Sequence, residues 1–412
     1  MKKLLGAYRQ NGEEHLILQE NGKVFVQEGN ASEFENSVLL ESRNEYVKDV
    51  LSKEEISGND IFDFRYGPVT SGIGEAGIFH LYTYGERILS VKIDTSYKRR
   101  GLDERMINSD INDALKLSEE ICGNFAISHS TAFSRAVENA LKIKVTRDVE
   151  LLRSIALELE RIYNHLYVIS RLAQAASQQV LASHLMGLFE DSLVTNKIFS
   201  DSRYLMNFNA IGDVLKIPSR KELKDVSDRV KKIENIFSKL YENSMSSGNY
   251  IDRLHLTATL DAKEAELIGL TGPSLRACGV KEDLRAYDEM YPEIEITSDE
   301  EGDSLSRMEV RAGEIFESLK FVRKTIDDLN LADETTSPNS IGSGEGIGWC
   351  ESPSGTIVYH VEIENSKIKD VYVSTPSVFG MSAIAHSIVG NIFTDFPFVV
   401  ESFGVNFSDA AR

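Results

Sequence analysis

The residues best suited to chemistry in this sequence are a thiol and an imidazole in one short stretch, Cys122 and His129. A thiol beside cationic groups ionises readily and attacks sulfur–sulfur bonds. The opposing reading of an isolated thiol is a small buried hydrophobe, which is the expectation for Cys278 and Cys350. His129 reads equally as a hydrogen-bonded core side chain. Arg161 and His165 stand one helical turn apart and share a face, while Arg100 and Asp103 fit an ion pair on a turn. Gly342-Ser343-Gly344-Glu345-Gly346 is as glycine-rich as a phosphate loop. It lacks the preceding strand and following helix that such a loop needs, so nucleotide binding is not expected.

These groups must be held by elements that the pattern of apolar residues announces. Leu152, Ile155, Leu159, Ile162, Leu166 and Ile169 recur at gaps of three and four, which predicts a long helix starting near Asp148. A second helix is expected from about Ser219 to Tyr241, with Val226, Val230, Ile233, Phe237 and Leu240 on one face. A third is expected over Ser304 to Leu329, and together they make an up-and-down bundle. Short strands precede them. Leu16-Ile17-Leu18 and Val24-Phe25-Val26 flank Asn21-Gly22, a strong hairpin signal. Another hairpin is expected at Tyr84-Gly85-Glu86, and a late pair of strands over Thr356–Ile363 and Ile368–Val373. Residues 1–64 read as a small β-rich segment containing a polar connection, Glu33 to Asn59, with some helix. Residues 65–412 form the main domain.

The formal charge of −20 leaves little basic surface to displace counterions from phosphates, so no nucleic-acid partner is expected. No apolar run approaches a membrane span, and the start does not read as a signal peptide. Three widely separated cysteines suit a reducing cytoplasm.

Several segments between Gly67 and Arg412 resemble, in order, the large subunit of energy-converting (group 4) nickel–iron hydrogenases and the related quinone-site subunit of complex I. Gly67-Pro68-Val69-Thr70-Ser71-Gly72-Ile73-Gly74-Glu75 is similar to the family's opening loop, and Tyr97-Lys98-Arg99-Arg100-Gly101-Leu102-Asp103 to its Y-x-H-R-G-x-E segment. Glu158-Leu159-Glu160-Arg161-Ile162-Tyr163-Asn164-His165-Leu166 resembles its E-L-x-R-I-x-x-H-L helix. Thr271-Gly272-Pro273 with Arg276, Gly302-Asp303 with Arg307 and Arg311, Glu351-Ser352-Pro353-Ser354-Gly355 and Thr375-Pro376-Ser377 continue the series.

The resemblance implies an α+β fold, a mainly helical bundle core with small peripheral β-sheets. It implies membership of a complex-I-like respiratory membrane complex as an oxidoreductase subunit inactive alone. An iron–sulfur small subunit of the complex I kind and membrane-embedded subunits would be its partners, on the cytoplasmic side of the membrane as a peripheral subunit. In the family two C-x-x-C motifs supply four thiolates to nickel and iron. Here the first motif reads Cys122-Gly123-Asn124-Phe125, and alignment through Ser402-Phe403 and Arg412 puts Asn406 and Asp409 at the second. The chain ends about where mature relatives end after a nickel-dependent cleavage. Thr70, Gly74 and Gly123 stand where the quinone-clamping histidine and tyrosine would be. Glu120 and Ser354 replace family arginines, and the Asp283–Asp288 loop is shorter than usual. The expectation is a chain that binds no cofactor itself, takes electrons from a partner's iron–sulfur cluster, and reduces a sulfane or polysulfide acceptor. The cavity would be lined by Cys122, Asn406, Asp409, His129, Asp103 and Arg100, with Arg161 and His165 facing the iron–sulfur partner. A quinone-reducing subunit with an altered site and a non-catalytic scaffold are the alternatives.

Overall fold

The computed structural model describes residues 2–10, 13–34, 58, 60–69, 75–330 and 342–412. Turn chemistry sets the first elements. β1 (Lys3–Gln10), β2 (Glu13–Glu20) and β3 (Lys23–Glu28) form an antiparallel sheet. Asn21 and Gly22, both at positive φ, close the β2–β3 turn so that Glu20 pairs with Lys23. β4 (Phe62–Tyr66), β5 (Ile78–Tyr84) and β6 (Arg87–Asp94) form a second sheet. The boundary expected at residue 64 falls inside β4, which pairs with β5, so the main body already includes Phe62. The polar connection expected over Glu33 to Asn59 lies outside the described residues for most of its length.

The helical region follows with α1 (Leu102–Met106), α2 (Ile111–Ile121), α3 (Ala126–Leu141) and α4 (Arg147–Ala175). α4 is the helix expected from the apolar seam, and Thr146 caps it by accepting from the Val149 N–H. Next come α5 (Gln179–Ser200), a two-residue pair β7 (Asn209–Ala210) and β8 (Asp213–Val214), and α6 (Arg220–Met245), opened by a Ser219/Glu222 capping box. The short helices α7 (Gly248–Leu254), α8 (Ala262–Ile268) and α9 (Gly272–Arg276) lead to α10 (Ser304–Asp328). α4, α5, α6 and α10 pack as the bundle, which buries the seam of α4 completely.

β9 (Gly344–Ser352), β10 (Gly355–Glu364) and β11 (Lys367–Ser374) form the third sheet. β9 was not expected; its start is the stretch read as a glycine-rich loop. A Cβ on Gly344, Gly346 or Gly348 would run into the backbone carbonyl of Ala140, Ala136 or Ala132 in turn, closer than real Cβ atoms come. Every second strand residue thus meets every fourth helix residue. The spacings match because two strand residues rise about 6.7 Å and four helical residues about 6 Å. The glycines are there to seat the strand on α3. The chain closes with α11 (Pro376–Ser387), α12 (Phe396–Phe403) and α13 (Phe407–Ala411). Among the described residues no helix is long and apolar enough to cross a membrane.

Candidate active site

Two chain segments bring the cysteine-motif positions together. Cys122 ends α2, and Gly123-Asn124-Phe125 turns the chain into α3, which carries His129. From the other side Gly404, at φ +62, ends α12 and sends the chain through Asn406 into α13 with Ser408 and Asp409. Asn124 Nδ2 donates to Asn406 Oδ1 at 2.8 Å. His129 Nε2 is 3.0 Å from Asp409 Oδ1, and its Nδ1 is 2.9 Å from the Tyr359 hydroxyl on β10. His129, Tyr359 and Asp409 are all fully buried. The second oxygen of Asp409 accepts from the Ser377 N–H at 3.3 Å. Ser408 donates its hydroxyl to Glu75 Oε1 at 2.8 Å, tying the opening loop to α13. Thr70 and Gly74 of that loop lie outside the described residues.

This donor set does not fit a thiolate-bridged metal pair. One position is a thiol, one is the fully buried phenyl ring of Phe125, and the amide and carboxylate already serve Asn124, His129 and Ser377. The structure also corrects the expectation of a readily ionised thiol. Burial first, then the charges of Asp409 and Glu75, push the Cys122 thiol well above its usual range, while Ser408 and a backbone N–H pull the other way. Cys278 and Cys350 are buried, as expected, and burial pushes them up to about 11 and about 12.

Arg100 binds the backbone just before Cys122. Its Nη2 donates to the carbonyls of Glu120 and Ile121 at 2.7 and 2.6 Å, capping the end of α2. The ion pair expected with Asp103 is not formed; Asp103 accepts from the Glu104 N–H at 3.0 Å, and Arg99 pairs with Glu104. Asp103, half-buried on α1, is one of the charges that raise the pKa of Tyr359.

Arg161 and His165 do not face a partner, because both are 0% exposed in this chain. They lie on the polar stripe of α4 with Glu158, opposite Arg311 and Glu314 on α10. His165 Nε2 donates to Glu314 Oε2 at 2.9 Å, and Arg311 donates to His165 Nδ1 at 3.2 Å. Between two such neighbours the imidazole is neutral, and burial pushes its pKa down to about 3. Glu314 Oε1 takes both Nε and Nη2 of Arg276 at 3.0 and 2.7 Å. Arg285 joins Glu158 at 3.0 Å and Asp283 at 2.7 Å, and Arg276 reaches Glu351 at 2.9 Å. Arg161 adds hydrogen bonds to the carbonyls of Glu351 and Ser352, which fixes the turn after β9. The sequence signal for this lattice was charge at gaps of three and four along α4 and α10. The residues missed as site neighbours, Glu75, Asn124, Tyr359 and Ser408, carried no local pattern that would have singled them out.

Residues 189–340 match the family of the respiratory-chain NADH dehydrogenase 49-kDa subunit, and residues 100–174 match the nickel-dependent hydrogenases. The chain is 26% identical over 360 residues to the membrane-bound hydrogenase subunit alpha of Pyrococcus furiosus, covering 82% of this chain and 84% of that one. It is 26% identical over 359 residues to an NADH-quinone oxidoreductase subunit of Chlorobaculum tepidum, covering 80% and 87%. A chain in the structure of the membrane-bound sulfane sulfur reductase, an archaeal respiratory membrane complex, superposes with a TM-score of 0.81 at 22% identity, over 86% of this chain and 99% of that one. Over most of its length the chain is similar to the large subunits of both hydrogenases and complex I.

Proposed function

We propose that this chain is the large subunit of a membrane-associated, complex-I-like oxidoreductase that has no nickel–iron centre and reduces a sulfane or polysulfide acceptor. Electrons come from an iron–sulfur cluster in a small partner subunit, membrane-embedded subunits complete the assembly, and the chain sits peripherally on the cytoplasmic side. The observation that carries this is the motif set itself: one thiol, a phenyl ring, an amide and a carboxylate, the last two already hydrogen-bonded. A lone thiol holds no binuclear metal pair but can form a single sulfur–sulfur bond.

In the first step the Cys122 sulfur attacks one sulfur of R–S–S–R′, its proton passing to the Asp409 carboxylate. A Cys122–S–S–R bond forms, and R′S− leaves and takes up that proton. In the second step two electrons, delivered singly by the partner's cluster, and two protons cleave the mixed disulfide to RSH and the regenerated thiol. The raised pKa of Cys122 makes the proton acceptor necessary rather than optional, since little thiolate stands ready. Replacing Cys122 by Ser abolishes polysulfide reduction by the assembled complex while leaving reduction of the partner's cluster intact; unchanged turnover rejects the reading.

One observation favours a second reading, a scaffold subunit: Asn406, Asp409 and Ser408 are each hydrogen-bonded within the fold, to Asn124, His129 and Glu75. A wild-type complex that assembles, accepts electrons and turns over neither polysulfide nor quinone supports that reading.

A further inference from the structure

We propose that Tyr359 and His129 form a proton relay that delivers protons from the Asp103 side of the fold to Asp409 and so to the sulfur chemistry at Cys122. This rests on the reading of the site as a sulfur reductase, and it assigns a role to groups which that reading leaves unused.

The geometry is a continuous hydrogen-bonded line through a dry core. Tyr359 OH lies 2.9 Å from His129 Nδ1, and His129 Nε2 lies 3.0 Å from Asp409 Oδ1. All three side chains are excluded from solvent. The phenol ring stands edge-on to His129, with centroids 5.9 Å apart and planes at 88°, and edge-on to Phe133 at 5.7 Å, so it is fixed from both sides. Burial raises the Tyr359 pKa well above its usual value, followed by the charges of Asp409 and Asp103. The phenol therefore keeps its proton and donates it to Nδ1, which leaves the hydrogen on Nε2 facing Asp409.

At the outer end, Asp103 opens α1 and is partly exposed. Arg412 closes the same end: its carbonyl accepts from the N–H groups of Arg100 and Gly101 at 2.9 and 3.1 Å, and its Nη1 donates to the Val373 carbonyl on β11. Asp103 and Arg412 are opposite charges acting on one phenol, the former raising and the latter lowering its pKa. The inner end is thus the proposed acceptor of the thiol proton, and at the outer end α1, which carries the partly exposed Asp103, packs on β11, the strand that pairs Val373 with Tyr359.

The transfer balances. When the mixed disulfide is reduced, the Asp409 carboxylate takes the Nε2 hydrogen of His129 and passes it to the sulfur released. Tyr359 passes its hydroxyl hydrogen to Nδ1, and the phenol is refilled from the Asp103 side. One proton crosses, and no charge is left in the core. Return of the imidazole to its resting tautomer completes the cycle, which runs twice for each sulfur–sulfur bond cleaved.

The test uses the assembled complex with dimethyl trisulfide as acceptor, comparing wild type with Tyr359→Phe and Asp103→Asn. Tyr359→Phe keeps the ring and its packing and removes only the relaying hydroxyl. The expected result is a fall in turnover of at least about tenfold for Tyr359→Phe. The solvent deuterium isotope effect rises, and the partner's cluster is reduced at the wild-type rate. Asp103→Asn slows turnover in the same direction. Wild-type turnover and isotope effect in Tyr359→Phe overturn the relay. If wild type itself reduces no trisulfide, the sulfur reading fails separately, and the relay is then judged on the full chain by nitrogen-15 histidine NMR. There, Tyr359→Phe must shift the His129 ring nitrogens, and Asp103→Asn must slow solvent exchange of its Nε2 hydrogen. Unaltered exchange in both variants overturns it on that measurement too.

Discussion

Replacing Glu314 by Ala removes the hub of the buried charge lattice between α4 and α10. Glu314 takes two hydrogen bonds from Arg276 at 3.0 and 2.7 Å, one from His165 at 2.9 Å and one from Arg161 at 3.3 Å. Those cations keep other partners: Arg276 has Asp283 and Glu351, and Arg161 has Glu158. The loss therefore falls near the low end of about 3–5 kcal/mol for breaking a buried pair. His165 Nε2–H is left without an acceptor, which adds about 1–3 kcal/mol. The expected cost is about 4–6 kcal/mol, a large share of the 5–15 kcal/mol or so that holds a typical chain folded. Urea unfolding of the full chain, followed by ellipticity, reads it. A double-mutant cycle with Arg276→Ala separates the pair from its surroundings, and the double variant loses at least about 1 kcal/mol less than the sum of the singles. A cost below about 1 kcal/mol, or additivity within about 0.5 kcal/mol, refutes the view of Glu314 as the shared counter-ion.

His165→Gln changes the acid side of the stability profile. The folded imidazole sits at about 3 against an ordinary 6.5, so below pH 6.5 the unfolded chain binds a proton that the folded chain refuses. Stability is lost as pH falls from 6.5 toward 3, by about 1.4 kcal/mol per pH unit. The glutamine variant, which can still donate to Glu314 and accept from Arg311, has a correspondingly shallower slope in urea titrations run between those limits. All three thiols are buried with raised pKa values, so a thiol-reactive dye at neutral pH labels them only on unfolding; fast labelling of Cys122 in the native chain contradicts the electrostatics described. Gly348→Ala forces a methyl into the Ala132 carbonyl and costs about 3 kcal/mol. Gly187→Ala in α5, where a Cβ meets nothing within 4 Å, gains about 0.5–1 kcal/mol, and urea unfolding reads both changes.

Much of the fold was written in local pattern. The seam of α4, the capping box before α6 and the Asn21-Gly22 turn each state their geometry within a few residues, because helix period, cap and turn are short-range physics. β9 was not legible: its glycines signal a loop in isolation and mean a strand only once α3 lies against them. α12 was hidden in the same way, since Phe396-Pro397-Phe398-Val399-Val400 is a helix start with Pro in its first turn, yet it reads as an extended apolar run. For the site, the motif positions Cys122, Asn406, Asp409 and His129 could be found by resemblance, and they do meet. Arg161 and His165 carried the same resemblance and were misplaced, because charge on a helix normally marks a surface. Only the countercharges from α9, α10 and the Asp283–Asp288 loop make their burial affordable, and those lie more than a hundred residues away in sequence. Tyr359 was invisible for a related reason, as a core tyrosine on a strand gains its role from the imidazole it meets.

The central claim concerns the sulfur donors at the meeting of α2 and α13. Elemental analysis of the native complex, purified with its partner subunits and tested for hydrogen evolution, addresses it most directly. The account predicts iron and sulfide from the partner's clusters, no nickel above trace and no hydrogen. Stoichiometric nickel, or hydrogen evolution that follows it through purification, contradicts it.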